Sequence, residues 1–334
     1  MQHISVDFSH DAGRVKPMHS VNNGPVYKFT ADQRISNMDA YRAAGFPYAR
    51  THDASFLSTY GGEHTVDVHL IFRDFSRDAD DPAAYDFDLT DDYLKTITLA
   101  GTKVFYVCFP LTDWARYFLD YLRAHETPLD FFSWHIYANN PLRVAEVERE
   151  TRAMLDSFGF EKTESILNEW NYVRGWEGDE WLYSLEAERG LKGAAFIASV
   201  LSRSQYMPVD HLMYYDARPC AMNGLFRPYD VSRNLKGYYA MYFFNRLYEL
   251  GQAVPVESDC DFVAACAAQD GERKAVLLSH FEEDDAAKPL QVRLALDCLQ
   301  PKAPVRLSYY LLDETHDGAL VREEIVTGVS AACY

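Results

Sequence analysis

The chain has 334 residues, of which 48% are hydrophobic and 14% aromatic, and its formal net charge is −18 at pH 7. A chain of this length can bury a large core, in one large domain or in one large and one small domain. The negative charge argues against nucleic acids and anionic membrane surfaces as partners, because their phosphates would repel the protein. No run of about 18 apolar residues occurs, so the sequence predicts no membrane span.

The N-terminal segment and the cysteines both point to a cytoplasmic protein. Residues 1–8 lack the basic start and following apolar stretch of a targeting signal. None of the six cysteines stands in a Cys-x-x-Cys pattern. We therefore expect reduced, mostly structural thiols and no metal or other cofactor. The cysteines are Cys108, Cys220, Cys260, Cys266, Cys298 and Cys333.

Strand-like and helix-like segments alternate over the first 250 residues. Thr30 and Gln33 form a capping-box pattern that predicts a helix start, and Gly45 stands where a C-terminal cap belongs. Repeated strand–helix units imply a parallel sheet, and polar residues gathered at strand ends favour a closed barrel. Strands are predicted over 15–22, 46–51, 104–107, 131–137, 165–168 and 211–215, and helices over 30–44, 90–100, 114–124, 141–158, 191–201 and 235–250.

Past Gly251 the pattern changes to short strand candidates separated by turn-rich breaks, which indicates a small antiparallel sheet or sandwich. The acidic run 282–285 stands in one of these breaks. It lacks the spacing of a calcium-binding loop, so we interpret it as a solvated turn. The strand candidates are 262–267, 275–279, 290–296 and 305–312.

Polar residues follow most of the predicted parallel strands. Each one alone is best explained as a residue that orders its own loop. Recurrence on five strands favours a shared site, because a barrel brings the carboxyl ends of its strands to one mouth. The residues are Asn22, Asn23, His52, Asp53, His135, Tyr137, Glu169, Tyr214, Tyr215, Asp216 and Arg218.

The most informative of these residues is Glu169. It follows an apolar strand-like run and stands between Asn168 and Trp170. A charged Glu is almost never buried unless another group pairs with it or it has a chemical task. A carboxylate at a strand end among aromatic side chains is typical of glycosidases, which makes the location of a second carboxylate the next question.

The sequence resembles glycoside hydrolase family 39, which contains β-xylosidases and α-L-iduronidase-like enzymes. The resemblance covers almost the whole chain. It implies a TIM-type (β/α)8 barrel over residues 9–250 and an antiparallel β-sandwich formed by residues 1–8 and 251–334. The matching segments are 130–138, 165–170, 50–53, 66–68, 71–72, 85–87 and 213–216.

The same resemblance implies roles for individual residues. Glu169 corresponds to the catalytic nucleophile of a retaining glycosidase, and His52, His135 and Tyr137 correspond to residues that hold the sugar in the innermost subsite. A hydrogen bond from Tyr137 would favour the charged carboxylate that attack requires. The predicted substrate-binding residues are His52, His135, Tyr137, Asn168, Tyr215 and Asp216.

One family feature is missing from the chain. Family members carry their general acid in an Asn-Glu-Pro motif after the fourth barrel strand, and no such motif occurs here. We count six barrel strands where eight are expected, and the missing segment would fall at the Val107–Cys108 junction. A barrel lacking two strands exposes sheet edges or closes with a different tilt, unless a partner chain fills the gap.

Three explanations stay open: an internal deletion in a family member, a homologue that lost hydrolysis, or another acid such as Asp53, Asp216 or an unassigned Glu. Two functions follow. The first is a retaining β-xylosidase-like enzyme acting on a small glycoside or oligosaccharide. The second is a non-catalytic carbohydrate-binding or interaction protein on a degenerate barrel. A homo-oligomer is compatible with either function.

Overall fold

A computed structural model of the chain describes residues 1–29, 34–51, 71–105, 115–218, 221–228, 230–297, 304–326 and 332–333. In these ranges, no helix is long and apolar enough to cross a membrane. A short 3₁₀ turn covers Pro82–Ala84. The described helices are α1 (Met38–Ala44), α2 (Asp88–Leu99), α3 (Ala115–Ala124), α4 (Pro141–Ser157), α5 (Gly178–Arg189), α6 (Leu191–Ser204) and α7 (Lys236–Leu250).

The strands fall into one parallel sheet and several smaller sheets. They are β1 (Gln2–Asp7), β2 (Ser20–Asn22), β3 (Tyr27–Phe29), β4 (Arg34–Ser36), β5 (Tyr48–Arg50), β6 (Lys103–Phe105), β7 (Phe131–Ala138), β8 (Glu164–Tyr172), β9 (His211–Tyr214), β10 (Phe226–Arg227), β11 (Asp230–Asn234), β12 (Gln252–Val254), β13 (Val256–Ser258), β14 (Val263–Gln269), β15 (Lys274–His280), β16 (Val292–Asp297), β17 (Val305–Leu312), β18 (Asp317–Val326) and β19 (Ala332–Cys333).

The parallel sheet has the order β6-β5-β2-β9-β8-β7. Its first strand in the chain, β2, pairs in parallel with its last, β9, as the first and last strands of a closed barrel do. Within the described residues the sheet contains the six strands that the sequence predicts. The two strands at the ends of this order, β6 and β7, flank the predicted deletion, although Val107 and Cys108 themselves lie outside the described residues.

The two outer strands of the sheet still touch. Phe105 ends β6 and Phe131 begins β7, and their ring centroids lie 5.6 Å apart. Because the strands are parallel, this contact joins the carboxyl end of one to the amino end of the other. This ring contact links the two ends of the sheet, although no backbone pairing joins β6 and β7 among the described residues.

The helices on the β8 side of the sheet form the main core. Trp170 and Tyr172, which alternate with inward-facing residues of β8, pack against Phe196 of α6 with ring centroids 6.2 and 5.5 Å apart. Helix α6 is apolar over much of its surface and also packs on α7. Burial of these rings fixes the outward face of β8 and so fixes the direction of its inward-facing side chains.

Two local predictions differ from the structure. The helix predicted from Thr30 begins only at Met38, because Arg34–Ser36 pairs as a strand with Tyr27–Phe29. In this hairpin the backbone of 34–36 pairs with another strand and not within a helix. A capping pattern concerns only neighbouring residues and cannot reveal such a partner. Gly45 does end α1, in the left-handed conformation with φ of 64°.

Helix α5 was not predicted, and β8 runs past its predicted end to Tyr172. The α5 sequence has a weak amphipathic pattern. Its buried Ser184 and Glu188 interrupt the apolar periodicity on which helix prediction depends. The longer β8 places Glu169 inside a strand and not at its end.

Residues 1–8 and the C-terminal region share a sheet of order β13-β1-β16-β19. Strand β1 pairs antiparallel with β13 but parallel with β16, so this sheet is mixed where an antiparallel one was predicted. Strands β12, β14 and β15 form a second sheet, and β17 pairs with β18 in a separate hairpin. The division into a barrel domain and a β-sandwich domain stays a prediction.

The acidic run 282–285 forms hydrogen bonds and ion pairs with residues of β8, α6 and the segment after β8, so it is not simply a solvated turn. The Glu283 carboxylate accepts hydrogen bonds from Tyr172 Oη at 2.9 Å and from Arg174 Nε at 2.6 Å. Lys192 Nζ donates to Asp285 Oδ1 at 2.6 Å and to the backbone oxygen of Glu283. The turn is therefore fastened to the carboxyl end of β8 and to the start of α6.

Two glutamates are buried among the outer helices. Burial raises the pKa of Glu148 in α4 to about 7 and the pKa of Glu188 in α5 to about 9. One Glu148 oxygen accepts a hydrogen bond from Ser204 Oγ at 2.5 Å. Among the described residues neither Glu188 oxygen has a hydrogen-bond partner. Near neutral pH, Glu188 is therefore protonated in the folded protein.

We predict that Glu188→Gln weakens the pH dependence of stability. A raised pKa keeps the proton on the folded state after the unfolded chain has released it, near 4.5. The free energy of unfolding therefore falls as pH rises from there through the folded pKa. Between pH 6 and pH 9, the free energy of unfolding should fall by on the order of 3 kcal/mol less in the variant than in the wild type. Each pH unit changes this free energy by about 1.4 kcal/mol while the proton is bound only in the folded state.

Urea denaturation at several pH values measures this difference. Glu186→Gln is the matched control, because Glu186 is exposed on the same helix. Parallel stability curves for the wild type and Glu188→Gln would contradict the prediction.

Candidate active site

Glu169 is aimed by an irregularity in β8. In the pairing with β7, Trp134 is opposite Leu167 but His135 is opposite Glu169, so one extra residue of β8 is accommodated between them. The pairing with β9 shifts over the same stretch. Bulges of this kind redirect side chains and are frequent beside active sites. The sequence pattern gave no sign of it.

Two donors hold the Glu169 carboxylate, which is only 9% exposed. Tyr137 Oη donates to Oε1 at 2.5 Å, and Arg50 Nη1 donates to Oε2 at 2.9 Å. Hydrogen bonds to the charged form and a nearby opposite charge both favour ionisation. These two contacts therefore favour the charged form that a nucleophile needs.

Arg50 is a site residue that sequence reasoning missed. Its guanidinium is buried and also donates from Nη1 to Asn22 Oδ1 at 2.7 Å. Asn22 Nδ2 in turn donates to the backbone oxygens of Asn168 and Met213 at 3.0 and 3.1 Å. The network thus joins β2, β5, β8 and β9. A buried Arg needs an anionic partner, and that rule could have linked Arg50 to Glu169.

Tyr137 lies directly beside Glu169. Burial, followed by the negative charge of Glu169, raises the pKa of the Tyr137 phenol well above its usual range, so it remains a donor. Its ring meets Trp176 edge-on at 5.0 Å and Tyr215 at 6.4 Å between centroids. Aromatic side chains therefore form one side of the Glu169 site.

His135 also lies beside Glu169. Its Nδ1 is 3.6 Å from Glu169 Oε2, which is longer than a normal hydrogen bond. A protonated ring would interact with the carboxylate by charge. The structure thus brings His135, Tyr137, Glu169 and Tyr215 together, and their roles in sugar binding stay predictions.

Asn168 and Asp216 have different surroundings. Both side chains are fully buried. Within the described part of the chain, neither Asn168 amide atom has a hydrogen-bond partner. Asp216 accepts hydrogen bonds from the Arg218 backbone N–H at 2.5 Å and from Asn23 Nδ2 at 3.4 Å. The Asp216 carboxylate therefore orders the loop after β9, and substrate binding by either residue stays a prediction.

Two further candidates, His52 and Asp53, lie outside the described residues. Within the described ranges no group of three or more His, Cys, Asp and Glu side chains is arranged to hold a metal ion. Cys260 and Cys266 are free and buried.

The arrangement as a whole suits covalent chemistry at a polar centre. An ionised carboxylate with limited exposure keeps its nucleophilicity, and the donors on its two oxygens fix its orientation. The aromatic rings beside it present apolar faces, as ligand sites with a few polar groups commonly do.

Comparison by sequence matches the chain to no family model and to no curated protein. Comparison of the fold finds glycoside hydrolases. A glucosidase from Croceicoccus marinus superposes with a TM-score of 0.73 and 17% identity, covering 100% of this chain and 96% of that chain. A GH51 α-L-arabinofuranosidase from Thermotoga petrophila gives a TM-score of 0.64 and 13% identity, with 100% and 97% covered.

A β-xylosidase from Caulobacter crescentus gives a TM-score of 0.62 and 14% identity, covering 100% of this chain and 97% of that chain. At these identities the likeness establishes the fold. The chain is an α/β protein of the (β/α)8-barrel type found in glycoside hydrolases, with six parallel strands in its described residues and further β-sheets at the C-terminus. Membership of family 39 stays a prediction.

We predict strong energetic coupling between Arg50 and Glu169. Arg50→Gln leaves a buried carboxylate without its cation and should lower the free energy of unfolding by about 3 kcal/mol. The double variant Arg50→Gln/Glu169→Gln removes both charges, so its loss should be smaller than the sum of the single losses by on the order of 2 kcal/mol. Urea denaturation of the four proteins measures this cycle.

Arg233→Gln serves as the control. Arg233 forms an exposed ion pair with Asp230 at 2.9 Å, and such pairs contribute at most about 1 kcal/mol. If the losses in the free energy of unfolding of the two single variants add up to the loss of the double variant, the buried ion pair does not contribute as described.

Proposed function

We propose that this protein is a retaining O-glycoside hydrolase with Glu169 as its nucleophile. The observation that carries the proposal is the carboxylate of Glu169, buried on a barrel strand and held by Arg50 and Tyr137. The glycoside hydrolase fold of the structural neighbours supports it.

The reaction would proceed in two steps. A Glu169 oxygen attacks the anomeric carbon, the bond to the leaving oxygen breaks, and a glycosyl ester forms. Water then attacks the same carbon, which releases the sugar and restores the carboxylate. Retaining enzymes place a second carboxyl group about 5–5.5 Å away, where it protonates the leaving oxygen and later deprotonates the water.

The described residues offer poor candidates for that second group. Asp216 is fully buried and already accepts hydrogen bonds from Arg218 and Asn23. Glu188 is protonated at neutral pH, but it is fully buried on α5. We therefore propose that Glu169 reacts without efficient help from either of these acids.

For the substrate, we propose β-xylosides or related small glycosides. The family 39 resemblance supports this class, and a β-xylosidase is among the structural neighbours. Arabinofuranosidases and a glucosidase are also among these neighbours, so the corresponding sugars belong in the same tests.

We predict that 2,4-dinitrophenyl 2-deoxy-2-fluoro-β-D-xyloside labels Glu169 covalently. Its leaving group needs no protonation, and the fluorine slows hydrolysis of the glycosyl ester. Mass spectrometry of the digested protein should show one added sugar on the peptide that contains Glu169. Glu169→Gln should not be labelled, whereas Glu164→Gln, an exposed change at the start of the same strand, should be labelled like the wild type.

Substrates with poor leaving groups should react far more slowly than activated aryl xylosides. The expected deficit is about 10²–10⁴-fold, the usual contribution of general acid catalysis. Rapid hydrolysis of methyl β-D-xyloside would show that an efficient acid is present. Absence of any label with the xylosyl, glucosyl and arabinofuranosyl reagents, on folded protein, would exclude Glu169 as the nucleophile. Sugar binding without catalysis would then be the surviving function.

A further inference from the structure

Trp176 is an exposed aromatic ring beside the candidate site. It lies between β8 and α5, and 57% of its surface is exposed. Single exposed apolar residues are common on proteins and need no function. Trp176 differs because its ring stacks on Trp181 at 5.4 Å and meets Tyr137 at 5.0 Å between centroids.

The segment that carries Trp176 is held on both sides. The backbone N–H of Arg174 donates to Ser184 Oγ at 2.8 Å, and its side chain binds Glu283. The Arg174 guanidinium lies 3.6 Å from the centre of the Tyr183 ring. These contacts hold the segment in one arrangement, so little conformational entropy is lost when Trp176 binds a ligand.

Gly175 lets the segment approach α5 closely. A Cβ atom at this position would lie 2.8 Å from Glu180 Cβ, which is closer than side chains normally approach. A larger residue at this position would therefore require the segment or the Glu180 side chain to shift.

Trp176 is separated from the Glu169 carboxylate by one aromatic ring. Tyr137 donates to Glu169 through its hydroxyl group and contacts Trp176 through its ring. A sugar ring is similar in size to the ring of Tyr137. The separation of Trp176 from Glu169 therefore suits a ring that lies one position beyond the attacked sugar.

We infer that Trp176 is the binding platform for the leaving group of the substrate, and that this leaving group is itself a ring, either a second sugar or an aryl group. The inference rests on the proposed function, because it assumes that a glycoside is bound at Glu169. For an enzyme acting on small glycosides, the only ring beyond the attacked sugar is the leaving group. Apolar sugar faces and aryl rings both pack well on an exposed indole.

The test compares phenyl and methyl 1-thioglycosides, which resist hydrolysis. Calorimetric titration would use β-D-xylosides, β-D-glucosides and α-L-arabinofuranosides. For at least one sugar, the wild type should bind the phenyl compound on the order of tenfold more tightly than the methyl compound. Trp176→Ala should remove that preference, so that phenyl and methyl compounds bind it with similar affinity, whereas Trp176→Phe should retain most of the preference.

Leu182→Ala is the matched control, because Leu182 is also exposed and lies on the adjacent helix. Its preference for phenyl compounds should equal that of the wild type, and thermal melting should show that all variants are folded. An equal affinity for phenyl and methyl compounds in the wild type with all three sugars would overturn the inference, as would a preference that survives in Trp176→Ala.

Covalent labelling separates this inference from the proposed function. If Glu169 is labelled but the phenyl preference does not depend on Trp176, only the platform is wrong. If the preference depends on Trp176 but Glu169 is never labelled, the platform is supported and the nucleophile is wrong.

Discussion

The burial of one negative charge organises the mouth of this barrel. A carboxylate that is largely removed from water is stable only when cations and donors replace its hydration. Arg50 and Tyr137 do so for Glu169. Because Arg50 also binds Asn22, and Asn22 binds the backbones of β8 and β9, the charge ties together strands that are far apart in the chain.

Most of this polar network lies on the four inner strands of the sheet. Strands β2, β5, β8 and β9 are neighbours there, and α6 and α7 cover their outer face. The sheet ends at β6 and β7, which meet through the rings of Phe105 and Phe131. The candidate nucleophile therefore lies on an inner strand of the sheet, and its donor Tyr137 lies on the neighbouring edge strand β7.

Features that follow a repeating sequence pattern could be predicted from the sequence, whereas features that depend on a single contact could not. Alternating strands and helices predicted the parallel sheet, and a lone charged residue after an apolar run identified Glu169. The bulge at Asn168 could not be predicted, because it depends on pairing with two neighbouring strands. Arg50 was missed because its partner is distant in sequence, and α5 because buried polar residues weaken its apolar period.

The acidic run 282–285, called the acidic turn below, connects the C-terminal sheets to the segment beside the candidate site. Of the described partners of the Arg174 and Lys192 side chains, the anionic ones are Glu283 and Asp285. A barrel shortened to end near residue 250 would remove these anionic partners of both cations and would leave the Tyr172 hydroxyl without its carboxylate acceptor. The segment carrying Trp176 would lose one of its two anchors. Truncations, domain exchanges and fusions of this protein therefore have to keep the barrel and its acidic turn as one piece.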